Sequence, residues 1–344
     1  MRAFVITGPF QGEVLDVEPP VPGPGEVVVR VERAGVCGTD AEFFTGEMAY
    51  LHDGQARYPL RIGHEWCGVV AALGAGVSRE WLGRRVTGDT MLGCQTCHRC
   101  LGGRQHLCAD RFEIGIRHGR PGALAEYLPV PVFALHVLPD AVGPALGAMI
   151  EPGGNALRAV RAARLRAGDR LLILGPGTIG LLAAMFAAAE GAEVHLLGLS
   201  TAFARSLGFA CHTEVPDLPF DAVIDASNAA RLPALAVERV EPGGRVVYIG
   251  LAGEPSLVDT RVIALKDLRV TGVLSASGGL AGTIERYASG AVDPTPLIAA
   301  TVGLDDVAGA LTGTLTGTSA GERDPGQPPK IHIDPSAQTE CSST

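Results

Sequence analysis

A chain of 344 residues, 47% apolar and 19% charged with a net charge of −9, is a soluble, core-forming sequence long enough for two domains of roughly 150 residues each. Its 46 glycines and 24 prolines stay below the roughly 25–30% share that marks low-complexity coil, so they signal many turns. The acidic balance offers no basic footprint for nucleic acid and is repelled by anionic membrane surfaces, which leaves a small molecule as the expected partner.

The opening MRAFVITGPF lacks the charged-then-apolar pattern of a secretory leader, so the expected location is the cytoplasm. Up to about Ile150 the chain reads as short strands and turns: EVVVRVERAGV at 26–36, EWCGVVAALG at 65–74 and RRVTGD at 84–89, after the turn-rich PPVPGPG at 19–25. Beyond Glu151, apolar runs alternate with helical stretches. RLLIL at 170–174 precedes the helix-like TIGLLAAMFAAAE at 178–190, and EVHLLG at 193–198, DAVIDA at 221–226, RVVYIG at 245–250 and LRVTGVL at 268–274 follow. The alternation predicts a parallel sheet, and the last of these strands is a plausible edge for pairing between copies. The uncharged stretch between Arg170 and Glu190 approaches the length of a membrane span, but Gly175, Pro176, Gly177 and Thr178 break it into strand, turn and helix. From about Ala291 further helix and strand signals are placed to return to the first half, and the tail after Pro335 is read as frayed.

Gly175-Pro-Gly177-Thr178-Ile179-Gly180 is a G-x-G-x-x-G set between a strand and an Ala-rich helix. The first glycine permits the tight turn, the second admits a pyrophosphate to the backbone amides, and the third lets helix and strand pack closely. This context predicts a dinucleotide site, with Ala226 and Gly250, at the ends of later strands, as further cofactor positions. The second strand ends in Gly198, where an acid would grip the ribose hydroxyls of NAD. Leu199, Ser200 and Thr201 leave room for a 2′-phosphate and Arg205 follows as a partner, which tilts the reading toward NADP; the alternative is that Ser200 caps the next helix and Arg205 is solvated.

Eight cysteines are poor disulfide material in a reducing compartment, and four of them, Cys94, Cys97, Cys100 and Cys108, share one short loop. Their spacing suits one tetrahedral zinc with no open position, hence a structural ion; the continuation that an iron–sulfur motif requires is missing. His98 and His106, inside the loop, are read as solvent-exposed. A second group, Cys37, His64, Glu65 and Glu151, offers the sulfur, nitrogen and oxygen donors of a catalytic zinc. From the residues alone this group stays open between core side chains and ligands of one ion. Cys67, Cys211 and Cys341 are read as plain thiols, and Trp66 and Phe43 as either pocket walls or packing.

At these residues the chain resembles the zinc-dependent medium-chain dehydrogenases, over nearly its whole length. GHEWCGVVAALGAGV at 63–77 fits the family pattern G-H-E-x2-G-x5-G-x2-V at Gly63, His64, Glu65, Gly68, Gly74 and Val77. The order of Cys37, GHE, the four-cysteine lobe, an EP segment and the glycine turn is also the family's. The resemblance implies an α/β fold: a β-rich GroES-like catalytic domain over residues 1–151, a doubly wound Rossmann domain over 152–290, and a return to the first domain over 291–344. It implies Cys37 and His64 with Glu151 or Glu65 as catalytic zinc ligands, Glu65 entering and leaving, and a homodimer or homotetramer. GVCGTD and EPGGNA look most like the polyol, sorbitol and threonine dehydrogenase branch. Where many members carry a His five residues after the first cysteine, this chain has Glu42, as glucose dehydrogenase relatives do.

The expected reaction is hydride transfer between a secondary alcohol (a polyol, sugar or related hydroxyl compound) and NAD(P), assisted by zinc as a Lewis acid. Thr39 is placed to take the alcohol proton, Glu42 to accept a substrate hydroxyl, and Asp40 to hold a local turn. The rivals are an NADPH-dependent reductase of an activated double bond and a non-catalytic nucleotide-binding relative. Retention of Cys37, His64 and Glu65 argues against both.

Overall fold

A computed structural model describes residues 1–313 and 326–337, which fall into two compact units. One holds Met1–Glu151 with described residues 295–313 and 330–337; the other holds Pro152–Pro294 with 326–329. The expectation of a frayed tail falls mostly on residues 338–344, outside the described residues, as does Cys341.

The second unit is built on a six-stranded parallel sheet. Its strands lie in the order Ala210–His212, Glu193–Leu197, Arg170–Leu174, Phe220–Asp225, Val240–Tyr248 and Arg269–Gly272. In chain order that is 3-2-1-4-5-6, the Rossmann arrangement, with its switch point between the first and fourth strands. Leu171, Leu172, Ile173 and Leu174 have no exposed surface, as a strand covered on both faces requires. The helix Thr178–Ala189 is apolar nearly all round because eight of its twelve residues are buried. Two strands depart from the sequence expectation. Ala210–His212 is too short for a periodic signal, and Val240–Tyr248 begins five residues before the apolar run RVVYIG, through a register shift between Phe220 and Ala222.

In the first unit the strand Glu26–Gly35 is the organising element. It pairs antiparallel with Glu65–Leu73, with Tyr127–Pro131 and with the returning strand Lys330–Ile333. Gly35 lies opposite both Glu65 and His332, and the Val36 N–H donates to the Ile331 carbonyl at 3.0 Å. That register brings three distant segments, those around Cys37, His64 and Lys330, to one end of one sheet. Trp66 and Phe43 have no exposed surface and belong to the core beneath it, so neither is a pocket wall. No helix among the described residues is long and apolar enough to cross a membrane.

Candidate metal centres and nucleotide site

Cys37 stands at the N-cap of the helix Gly38–Thr45 in an extended conformation. Its N–H donates to Asp40 Oδ2 at 2.8 Å, while Asp40 Oδ1 accepts from the Gly63 N–H at 3.1 Å and lies 3.7 Å from His64 Nδ1. Asp40, fully buried, thus ties the Cys37 turn to the GHE segment and also faces His64. Burial lowers the basicity of His64, but the nearby Asp40, Cys37 and Glu151 outweigh it and hold the imidazole well above its usual pKa. Such a pocket is electron-rich.

Donor atoms of Cys37, His64 and Glu65 all lie within 4.8 Å of one another. Sulfur, imidazole and carboxylate are the donor types zinc takes in catalytic sites. His64 Nδ1 has no hydrogen-bond partner among the described residues and turns toward a carboxylate, the usual arrangement behind a metal-bound histidine. The residues present therefore fit a divalent ion. Glu151, buried in the first turn of the helix Ile150–Ala163, acts on the charge of His64 but is not one of the three clustered donors.

Glu65 has a partner that sequence reasoning missed. Lys330, 1% exposed, donates to Glu65 Oε1 at 2.8 Å, to Glu65 Oε2 at 2.6 Å and to the Val36 carbonyl at 3.0 Å. Burial raises the Glu65 pKa, but Lys330 and His64 reverse the shift, so the carboxyl sits below its usual range. Gly35 makes room for this pair, since a Cβ there would lie 2.1 Å from Glu65 Oε2. His332 is also buried, and burial together with Lys330 pushes its pKa down to about 3, so it is neutral. A lysine in the alternation KIHI reads as an ordinary exposed strand residue, and only its partner across the sheet gives it meaning.

Thr39 and Glu42 sit on the same face of the helix Gly38–Thr45, Thr39 half-buried and Glu42 exposed. Partial desolvation and the neighbouring Glu47 raise the Glu42 pKa.

In the lobe, Sγ of Cys94 and Cys100 are 3.9 Å apart, as are those of Cys97 and Cys108, and all four sulfurs lie within 4.8 Å of one another. Four thiolates about 2.3 Å from a tetrahedral zinc would be roughly 3.8 Å apart, so the cluster fits that ion. The Thr96 hydroxyl and the amides of Thr96 and Cys97 hold the Cys94 thiol down to about 6. His98 is exposed as expected, but His106 is buried, because the turn Gln105–Leu107 folds it under the lobe. Cys67 and Cys211 are buried free thiols, and burial pushes Cys67 up to about 12. Replacing Cys97 with Ser, or removing metal with a strong chelator, should lower Tm by on the order of 10 °C, read by thermal unfolding. An unchanged Tm in both experiments would show that no structural ion staples the loop.

In the second unit the glycine turn is shaped as its spacing predicts. Gly175 has φ +93°, in the left-handed region, and a Cβ on Gly180 would lie 1.9 Å from the Gly175 carbonyl oxygen. Gly177 is exposed and opens the helix Thr178–Ala189, whose first residues are Thr178 and Ile179, without a side-chain cap. The turn sits at the switch point, where the Ala226 N–H donates to the Leu174 carbonyl at 2.9 Å and Gly250 packs on the Ser227 backbone. Gly198 is hemmed in: a Cβ there would lie 2.3 Å from Pro176 Cγ, so this turn has no room for an acidic side chain. Thr201, not Ser200, is the N-cap of the following helix, and Ser200 is half-buried. The exposed Arg205 is not simply solvated: its Nε and Nη2 donate to the Cys211 carbonyl at 3.1 and 2.8 Å.

Residues 23–140 match the alcohol dehydrogenase GroES-like domain. The chain is 33% identical over 294 residues to an L-threonine 3-dehydrogenase of Saccharopolyspora erythraea, covering 79% of this chain and 83% of that one. A zinc-binding dehydrogenase of Sinorhizobium meliloti, solved bound to NADP, superimposes with a TM-score of 0.85 at 28% identity, covering 97% and 99% of the two chains. An Escherichia coli alcohol dehydrogenase complexed with NADH does so with a TM-score of 0.87 at 26% identity, with the same coverage. Fold and clusters together define an oxidoreductase of the alcohol dehydrogenase type, with a GroES-like unit, a Rossmann unit and two groups of metal-ligating side chains. The chain belongs to the medium-chain alcohol and threonine dehydrogenase family.

Proposed function

We propose that this dehydrogenase is zinc-dependent and transfers a hydride between a secondary alcohol of the polyol or sugar type and NAD(P), giving a ketone. The observation that carries the reading is the convergence of Cys37, His64 and Glu65 donors from separate segments within 4.8 Å. Cys37, His64 and a carboxylate of Glu65 or Glu151 would hold a zinc ion, which would supply Lewis acidity at the hydroxyl oxygen, with NAD(P) as the hydride acceptor when bound.

The chain's own residues do the rest. Asp40 fixes the turn that carries Cys37 and faces the His64 ring, which sets the orientation of both donors. Lys330 grips both oxygens of Glu65, so Glu65 is held in reserve, and Glu151, close enough to act on the charge of His64, is the alternative carboxylate ligand. Thr39 relays the hydroxyl proton, passing its own to solvent as it accepts one, and Glu42, on the same helix face, accepts a hydrogen bond from a second substrate hydroxyl. The uncapped amides after Gly177 hold the pyrophosphate. The sheet edge Arg269–Gly272, exposed at all four residues, suits pairing with a second copy in a homodimer or homotetramer.

A coupled assay of NAD(P)H formation across polyols, sugars, aminocyclitols and simple secondary alcohols tests this reading. Turnover that a chelator abolishes and zinc restores supports it, and no turnover with any class refutes it. The crowded Gly198 leaves no acid for the ribose hydroxyls, which favours NADP. A kcat/KM for NADP at least about tenfold above that for NAD is expected. A preference for NAD would overturn the tilt and leave Arg205 as a fastener of the Cys211 strand alone.

A further inference from the structure

A cavity of about 650 Å³ lies in the first unit, walled by the loop 54–61 and the turn 115–121. Neither the clustered donors Cys37, His64 and Glu65 nor Thr39, Glu42 or Glu151 line it. Its charged lining is cationic: Arg57, Arg61 and Arg120 contribute, with no Asp or Glu among the lining residues. Arg120 spends Nη2 on Glu26 at 2.8 Å, but its Nε is buried without a hydrogen-bond partner. Arg57 and Arg61 make no ion pair among the described residues, and Arg61 is half-buried. Burial lowers the Arg61 pKa with no carboxylate to oppose it.

A desolvated guanidinium without a counter-charge is costly, as is a buried N–H without an acceptor, and an oxyanion would relieve both. Gln55 adds a complementary requirement. Its Nε2 is committed to Asp53 Oδ2 at 2.5 Å, whereas its Oε1 is buried with no donor, as a ligand hydroxyl would supply. Leu60 and Ile116 furnish apolar wall, and the volume suits a metabolite-sized molecule. The walls are fixed before any ligand arrives. The His118 N–H donates to the Gln55 carbonyl at 2.8 Å, the Gly122 N–H to the Arg61 carbonyl at 2.9 Å, and the Gly115 N–H to the Arg120 carbonyl at 3.1 Å. We infer that this cavity is a binding site for a small hydroxylated oxyanion, a phosphate ester or a carboxylate, separate from the metal cluster.

Calorimetric titration of the full zinc-loaded chain, saturated with NADP so that its pyrophosphate site is filled, tests the inference at constant ionic strength. Inorganic phosphate, glycerol phosphate and acetate are the probes. Saturable binding of one anion per chain is expected, weakened at least about tenfold by Arg61→Gln and several-fold by Arg57→Gln, whose exposed side chain can be removed without unfolding the unit. Glycerol phosphate binding more tightly than phosphate would place the hydroxyl on Gln55. Phosphate above acetate identifies a phosphate ester as the natural ligand, and the reverse a carboxylate. No saturable binding of any probe, or binding that both substitutions leave unchanged, overturns the site.

Discussion

Cys37→Ser should cost at least about a thousandfold in turnover while leaving the fold intact, because a hydroxyl is a far poorer zinc ligand than a thiolate and the Lewis acid is worth several kcal/mol. Cys37 is half-buried at a helix start, and the bonds that hold its turn run through its backbone N–H and Asp40, both of which the variant keeps. Its Tm should therefore fall by no more than a few degrees, in contrast to Cys97→Ser. Metal analysis should find the ion lost from the Cys37 cluster and retained in the four-cysteine lobe. Wild-type turnover in Cys37→Ser would show that this residue holds nothing needed for chemistry.

Lys330→Met should strongly destabilise the first unit while sparing every metal donor. It leaves the Glu65 carboxylate, 1% exposed, without its cation, and an orphaned buried charge costs about 3–5 kcal/mol. Two comparisons separate this cause from lost packing. Glu65→Gln in the same chain should recover most of the loss, since the charge that needed a partner is gone. Zinc should also protect the variant more than it protects the wild type, because a Glu65 released from Lys330 can ligate the ion. Denaturant melts of the metal-free and zinc-loaded proteins read both effects. Equal losses with and without zinc, together with no recovery by Glu65→Gln, would mean that Lys330 neither neutralises Glu65 nor restrains it.

The Rossmann unit was almost fully legible in the sequence because its signals are local. RLLIL and DAVIDA declare buried parallel strands by composition alone, and the glycine turn declares itself by spacing. What escaped was the three-residue strand Ala210–His212, too short to have a period, and the partner of Arg205, fixed by a carbonyl that the chain brings back only on folding. In the first unit the four-cysteine lobe is a local motif and was readable. The Cys37 cluster was not readable from spacing, because its members meet through the register of Glu26–Gly35 with Glu65–Leu73. Only the GHE pattern pointed to it. Lys330 and the burial of His106, Trp66 and Phe43 depend on tertiary packing that no local signal carries.

Diffraction data collected across the zinc absorption edge test the central claim most directly. Two anomalous peaks per chain are expected, one among the four lobe sulfurs and one within bonding distance of both Cys37 Sγ and a His64 ring nitrogen. Zinc-loaded crystals with no peak joining Cys37 and His64 would contradict it.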